Sequence, residues 1–150
     1  MKKMWFLFQR CQILVKSMNR FRLFYDLNRN DAPKKHEEYV ARIIADYFQS
    51  DIQFIRKTSS RTPDFYILKT YQLWELKSPL GNGKRTIANN LREASKQSRN
   101  IILDLSRCKM NNSVALSRIR GFLSSGDAHI NRLIVIDKSR KIIDFSPKKR

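Results

Sequence analysis

Residues 63–77 read Pro63-Asp64-Phe65-Tyr66-Ile67-Leu68-Lys69-Thr70-Tyr71-Gln72-Leu73-Trp74-Glu75-Leu76-Lys77, and the fold is decided there. Asp64–Leu68 and Gln72–Lys77 are two β-rich runs joined by Lys69-Thr70-Tyr71, the pattern of a hairpin. Strand side chains alternate between faces. Glu75 and Lys77 therefore share one face, and Trp74 and Leu76 share the other, where core packing is their expected role. With Asp64 opening the neighbouring strand, its carboxylate is expected to approach that of Glu75.

Working outward, Asn28–Lys35 reads as a linker broken by Pro33. From His36 the apolar residues Val40, Ile43, Ile44, Tyr47 and Phe48 recur at helical spacing. Ile52 and Phe54 alternate with polar neighbours as in a strand, and Thr58–Thr62 is a turn. After Lys77, Ser78–Lys84 (SPLGNGK) is a loop, and a second helix is expected over about 86–98. Asn100–Leu105 is a short apolar strand of the buried kind. A third helix over Ser113–Leu123 and a strand pair, Leu133–Asp137 and Lys141–Phe145, complete the chain. The expected class is α+β (α/β), with a three- to four-stranded mixed sheet flanked by helices. Residues 36–105 give an αβββαβ core, and the C-terminal helix and strand pair are added to it.

Two converging carboxylates suit Mg²⁺, which takes hard oxygen ligands and fills its octahedron with water and phosphate oxygens. Asp64 and Glu75 are the candidate ligands. Lys77 beside them is placed to orient water or to stabilise charge on a phosphate.

This pattern resembles the PD-(D/E)XK nuclease superfamily, in which a Pro-Asp and a Glu-X-Lys lie on adjacent strands of an αβββαβ core. The resemblance implies that Glu37 on the first helix and Gln97 on the second join Asp64, Glu75 and Lys77 as catalytic residues. A closer resemblance covers Thr62–Leu105. Its carriers are Trp74-Glu75-Leu76-Lys77-Ser78-Pro79-Leu80-Gly81, Thr86-Ile87, Gln97-Ser98 and Asp104. Together they are similar to the C-terminal tRNase domain of CdiA, the effector of contact-dependent growth inhibition. This implies a bacterial toxin-type ribonuclease acting on tRNA in the cytoplasm and restrained by a cognate immunity protein. Many tRNase toxins instead have the barnase/EndoU/colicin/RelE fold and cleave without metal, using a general base, a general acid and a cation. His36 or Glu75, with Lys77, Lys84, Arg85 and Thr86, would fill those roles. Both chemistries remain open at this point, as do a DNA endonuclease and a non-catalytic nucleic-acid-binding module.

The charge agrees with a polyanionic substrate. Thirty-one Lys and Arg against 13 Asp and Glu give a net +18. Such an excess repels itself in a compact chain, and it releases counterions when it neutralises phosphates. Nucleic acid is the expected partner, tRNA first and DNA second. Gly81-Asn82-Gly83-Lys84-Arg85-Thr86 is a glycine-bearing basic loop leading into a helix N-terminus, where a phosphate is favoured. Lys84, Arg85 and Thr86, with Arg92 and Lys96 on the helix, are the candidate RNA-binding residues. Trp74 and Tyr71 are aromatic candidates for stacking on bases.

Residues 1–35 hold nine basic and two acidic residues and are expected to form a separate N-terminal element, ahead of a nuclease domain over 36–150. Leu7, Cys11, Leu14, Met18, Phe21 and Tyr25 predict an amphipathic helix within residues 4–27, packed on the domain or lying on a membrane surface. Arg10 and Lys16 interrupt it, so a transmembrane span is not expected. Cys11 and Cys108 fit no close-spaced metal or redox pattern.

Overall fold

The computed structural model describes residues 13–14, 20–25, 32–59 and 61–146. The chain forms two compact units, Met1–Leu73 and Trp74–Arg150.

In the first unit, β1 (Ile13–Leu14) pairs antiparallel with β2 (Leu23–Tyr25). Helix α1 (Lys35–Phe48) then crosses over to β3 (Ile52–Phe54), which lies parallel to β2. β4 (Phe65–Ile67) returns antiparallel to β3. The register aligns Leu23, Ile52 and Ile67 in one buried row and sets Phe54 opposite Phe65, their rings 5.8 Å apart. α1 buries the stripe Val40, Ala41, Ile44 and Ala45. Asp51, at the head of β3, accepts the Arg22 backbone N–H at 2.8 Å and its guanidinium at 3.0 and 3.2 Å, which ties β2 to β3.

Most of the amphipathic helix expected within residues 4–27 lies outside the described residues, as do Cys11 and the first half of the linker. Where the segment is described it is corrected: Ile13–Leu14 and Leu23–Tyr25 are strands. Three consecutive apolar or aromatic residues at 23–25 fit a pleated strand with partners on both sides, and the pairing with β1 and β3 outweighs the helical spacing. β2 therefore belongs to the sheet of the first unit rather than to an element ahead of it.

The second unit is built from β5 (Gln72–Lys77, belonging to it from Trp74), α2 (Thr86–Ser95), β6 (Asn100–Asp104), α3 (Asn112–Ser125), β7 (Arg132–Ile136) and β8 (Ile142–Asp144). β5, β6 and β7 run parallel and β8 is antiparallel to β7. Ile101, Leu103, Leu133 and Val135 of the sheet share one core with Ile87, Leu91 and Ala94 of α2 and Ala115, Ile119 and Phe122 of α3. Both helices thus cover the same face. Each fully buried Ile or Leu stabilises the unit by about 1.5–3 kcal/mol.

The α+β class holds, and α1-β3-β4-β5-α2-β6 follows the expected element order. The described residues carry eight strands, so the sheet content is larger than the three to four expected. β1 and β2 ahead of α1 were not expected, whereas β7 and β8 after α3 are the expected C-terminal strand pair. α2 is shorter than expected: Gln97 and Ser98 donate their N–H groups back to the Ala94 carbonyl, at 2.9 and 3.0 Å, and the chain turns there.

Candidate functional site

Glu75 and Lys77 stand in β5 opposite Ile101 and Leu103 of β6, which puts them on the face that α2 and α3 cover. Lys77 Nζ lies 2.8 Å from Glu75 Oε1. The Glu75 side chain is only 2% exposed and that of Lys77 24%. A carboxylate taken out of water loses several kcal/mol of hydration, so a buried acid needs a counter-charge. The expected alternation also holds for Trp74 and Leu76, which are buried. Trp74 lies under the Arg132 guanidinium, 5.4 Å from the ring centroid, which removes it as a base-stacking surface. Tyr71 is 54% exposed, with a left-handed backbone at φ 54°.

Asp64 belongs to the first unit and is half-buried, with Lys57 Nζ 2.6 Å from its Oδ1. Glu37 also belongs to that unit. Its carboxylate accepts the Lys34 backbone N–H at 2.7 Å and so caps the start of α1. Gln97 is half-buried in the turn after α2 rather than on the helix.

Parallel strands gather their following loops at one edge, and ligands of open α/β sheets bind outside those carboxyl ends. Here that edge is strongly basic. Lys84 and Arg85 follow β5, Arg107 and Lys109 follow β6, and Lys138, Arg140 and Lys141 follow β7, all exposed. The two acids at the strand ends, Asp104 and Asp137, are 1% and 8% exposed and engaged in local hydrogen bonds.

The loop after β5 is moulded onto the segment after β6. Ser78 Oγ donates to Asp104 Oδ2 at 3.3 Å. The Leu80 carbonyl accepts from Lys109 N–H at 3.1 Å, and that of Gly81 from the Cys108 thiol at 3.2 Å. The Gly83 carbonyl accepts from Arg118 Nη1 at 3.0 Å and from Thr86 N–H at 3.1 Å. A Cβ at Gly81 or Gly83 would come within 3.3 Å of Thr86 Oγ1, so both glycines let the loop close over the start of α2. α2 itself begins without a side-chain cap and without an acidic residue in its first turn, which leaves its positive end to an anion.

Lys84, Arg85 and Thr86 therefore sit together at this edge, while Arg92 and Lys96 do not. α2 runs back toward the opposite edge, where Arg92 pairs with Asp127 at 3.1 Å and lies over the Phe122 ring. Lys96 pairs with Glu93 at 2.7 Å, and this pairing, together with the Lys77 charge, holds the Glu93 carboxyl below its ordinary value. Arg107, Lys109, Arg118, Lys138 and Arg140 escaped the sequence reading. The available signal was the strand–helix–strand spacing from 100 to 136, which implies parallel strands and a shared edge.

The family model of the contact-dependent growth inhibition CdiA C-terminal domain matches residues 61–142, more than half of the chain. The chain belongs to the CdiA C-terminal domain family. The match spans Asp64, Glu75, Lys77 and the three basic loops of this CdiA C-terminal domain, and leaves Glu37 outside. No curated protein matches the sequence. Among solved structures the fold is similar to the CdiA-CT/CdiI toxin and immunity complex from Burkholderia pseudomallei, with a TM-score of 0.54 and 18% identity. That match covers 83% of this CdiA C-terminal domain and 98% of the other chain.

Among the described residues, no helix is long and apolar enough to cross a membrane, and no three His, Cys, Asp or Glu side chains converge as a metal cage.

Proposed function

We propose that this CdiA C-terminal domain is a toxin nuclease that hydrolyses phosphodiester bonds in tRNA, with Glu75 and Lys77 at its reaction centre. One observation carries the proposal: a carboxylate 2% exposed, with an ammonium 2.8 Å away, inside the segment that matches a toxin-domain family. A solvated ion pair along one strand would contribute about 0–1 kcal/mol and would have no reason to be buried. The basic carboxyl edge supports a polyanionic substrate.

The donor chemistry fits Mg²⁺, which binds through one or two carboxylates and needs no protein cage. Glu75 is the ligand proposed in the second unit, and Asp64 is the further ligand the PD-(D/E)XK-like pattern supplies. When bound, the ion supplies a water of lowered pKa and neutralises phosphate charge. Lys77 places its ammonium against the charge that develops on the phosphate. Lys84, Arg85, Thr86 and the uncapped start of α2 hold a neighbouring phosphate of the RNA backbone. The site of action is the cytoplasm that holds the tRNA. A cognate immunity protein restrains the toxin, as the toxin and immunity complex of the structural neighbour suggests.

The test is cleavage of unfractionated bacterial tRNA, with Mg²⁺ and with excess EDTA, beside a duplex DNA. Cleavage of tRNA in Mg²⁺ alone is expected, and both Glu75→Gln and Asp64→Asn should lose at least a hundredfold in rate. Cleavage that survives EDTA would remove the metal from the proposal. Cutting of DNA alone, or full activity of Glu75→Gln, would overturn it.

A further inference from the structure

The turn between β7 and β8 is organised by one carboxylate. Asp137 Oδ1 accepts the Ser139 N–H at 2.8 Å, the Ser139 hydroxyl at 2.6 Å and the Lys141 N–H at 2.9 Å. Backbone bonds between Asp137 and Lys141, and from Arg140 N–H to the Asp137 carbonyl, each 3.0 Å, close it. Asn112 Oδ1, on the first residue of α3, accepts the Lys138 N–H at 3.2 Å and fixes the turn to the rest of the edge.

The geometry of this turn therefore rests on Asp137, Ser139 and Asn112, and what it displays is something else. Lys138, Arg140 and Lys141 are exposed. Arg140 has φ 68°, in the left-handed region, where a side chain with a Cβ is disfavoured and glycine is not. Three like charges within four residues also repel one another. The left-handed backbone at 140 and the mutual repulsion of the three cations each cost stability, and the turn holds all three at the surface of the basic edge.

We propose that Lys138, Arg140 and Lys141 form a second phosphate-binding strip, which takes the RNA backbone beyond the Lys84-Arg85-Thr86 loop. It rests on the nucleic-acid reading of the same edge. β5, β6 and β7 are neighbours in register, so the ends of β5 and β7 stand about 10 Å apart. One backbone can therefore lie across both loops. The strip contacts phosphates and carries no base specificity.

The test measures affinity for unfractionated tRNA from 50 to 200 mM salt, with the full chain carrying Glu75→Gln to prevent cleavage, alongside thermal unfolding. In that background Arg140→Gly keeps the left-handed backbone at 140 without strain, so the turn that displays Lys138 and Lys141 is retained. It should bind several-fold more weakly at 100 mM salt, with the slope of log K against log [salt] reduced by about one. Arg140→Lys keeps the charge and should keep affinity and slope. The triple change Lys138→Gln, Arg140→Gly, Lys141→Gln should lower the slope by about three. Unchanged affinity in Arg140→Gly would overturn the strip, and so would an equal loss in Arg140→Lys, which would assign the effect to backbone geometry. Binding that follows these expectations in a protein that cuts no RNA would leave the strip standing and sink the nuclease proposal. An absence of RNA binding would remove both.

Discussion

Glu75 and Lys77 form a pair whose members are not equivalent, because one is sealed from water and the other reaches it. Removing the lysine takes a charge from beside a buried carboxylate, whereas removing the acid leaves an ammonium that water can still approach. Lys77→Ala is therefore expected to destabilise the fold by about 3 kcal/mol and Glu75→Gln by roughly 1 kcal/mol, read from urea unfolding midpoints. Equal effects would mean that burial does not set the balance. Asp137 offers a pH dependence at the same scale. The Ser139 hydroxyl and the backbone N–H groups of Ser139 and Lys141 hold its carboxyl below the ordinary value. A depressed folded pKa contributes stability in full above about pH 4, and that contribution disappears as pH falls through the folded value. In Asp137→Ala the loss of stability relative to the native protein should accordingly shrink below pH 4. A difference constant from pH 3 to 7 would exclude this role. The Glu75–Lys77 pair was legible in the sequence because residues two apart on a strand share a face. The side-chain partners were not: nothing local says that Glu37 turns back onto Lys34 N–H, or that Lys57 meets Asp64.

Among the elements, those with wholly apolar strands were read closely. Asn100–Leu105 was expected and Asn100–Asp104 is observed, since such a run has nowhere to go but a sheet interior. The segment from Phe21 to Tyr25 was misread because apolar spacing is compatible with a helix, while its strand partners Ile52 and Gln53 lie some thirty residues away. Ser78–Lys84 was recognised as a loop, yet the residues that shape it come from 104–118. Arg118 is the reach of α3 into that loop. Arg118→Ala should accelerate hydrogen exchange at the amides of Lys84, Arg85 and Thr86 at least tenfold, with β6 amides unchanged. The associated loss of stability should be about 1–2 kcal/mol. Unchanged exchange would show that the glycines and the Cys108 and Lys109 contacts fix the loop alone.

For the whole molecule, a net charge of +18 gives the expectation of a polyanion but does not say which surface would meet it. The seven exposed cations of the carboxyl edge are spread over residues 84–141 and meet only because three strands run parallel. Sequence proximity carries no trace of that meeting. If all seven meet phosphates, the slope of log K against log [salt] for tRNA should approach about −6 for helical regions, and be shallower on single strands. A slope near −1 would confine binding to a single loop.

The division of the second unit into a charged edge and its opposite has a practical side. Gly126 ends α3 at φ 70°, with open space where a Cβ would stand, and it is followed by exposed Asp127. This turn is at the far end of the strands from the three basic loops. A short Gly-Ser epitope spliced between Gly126 and Asp127 would lengthen a surface turn at a cost of about 1 kcal/mol. A fluorophore or surface tether attached there would hold the protein by its back, leaving the basic loops turned toward the solution.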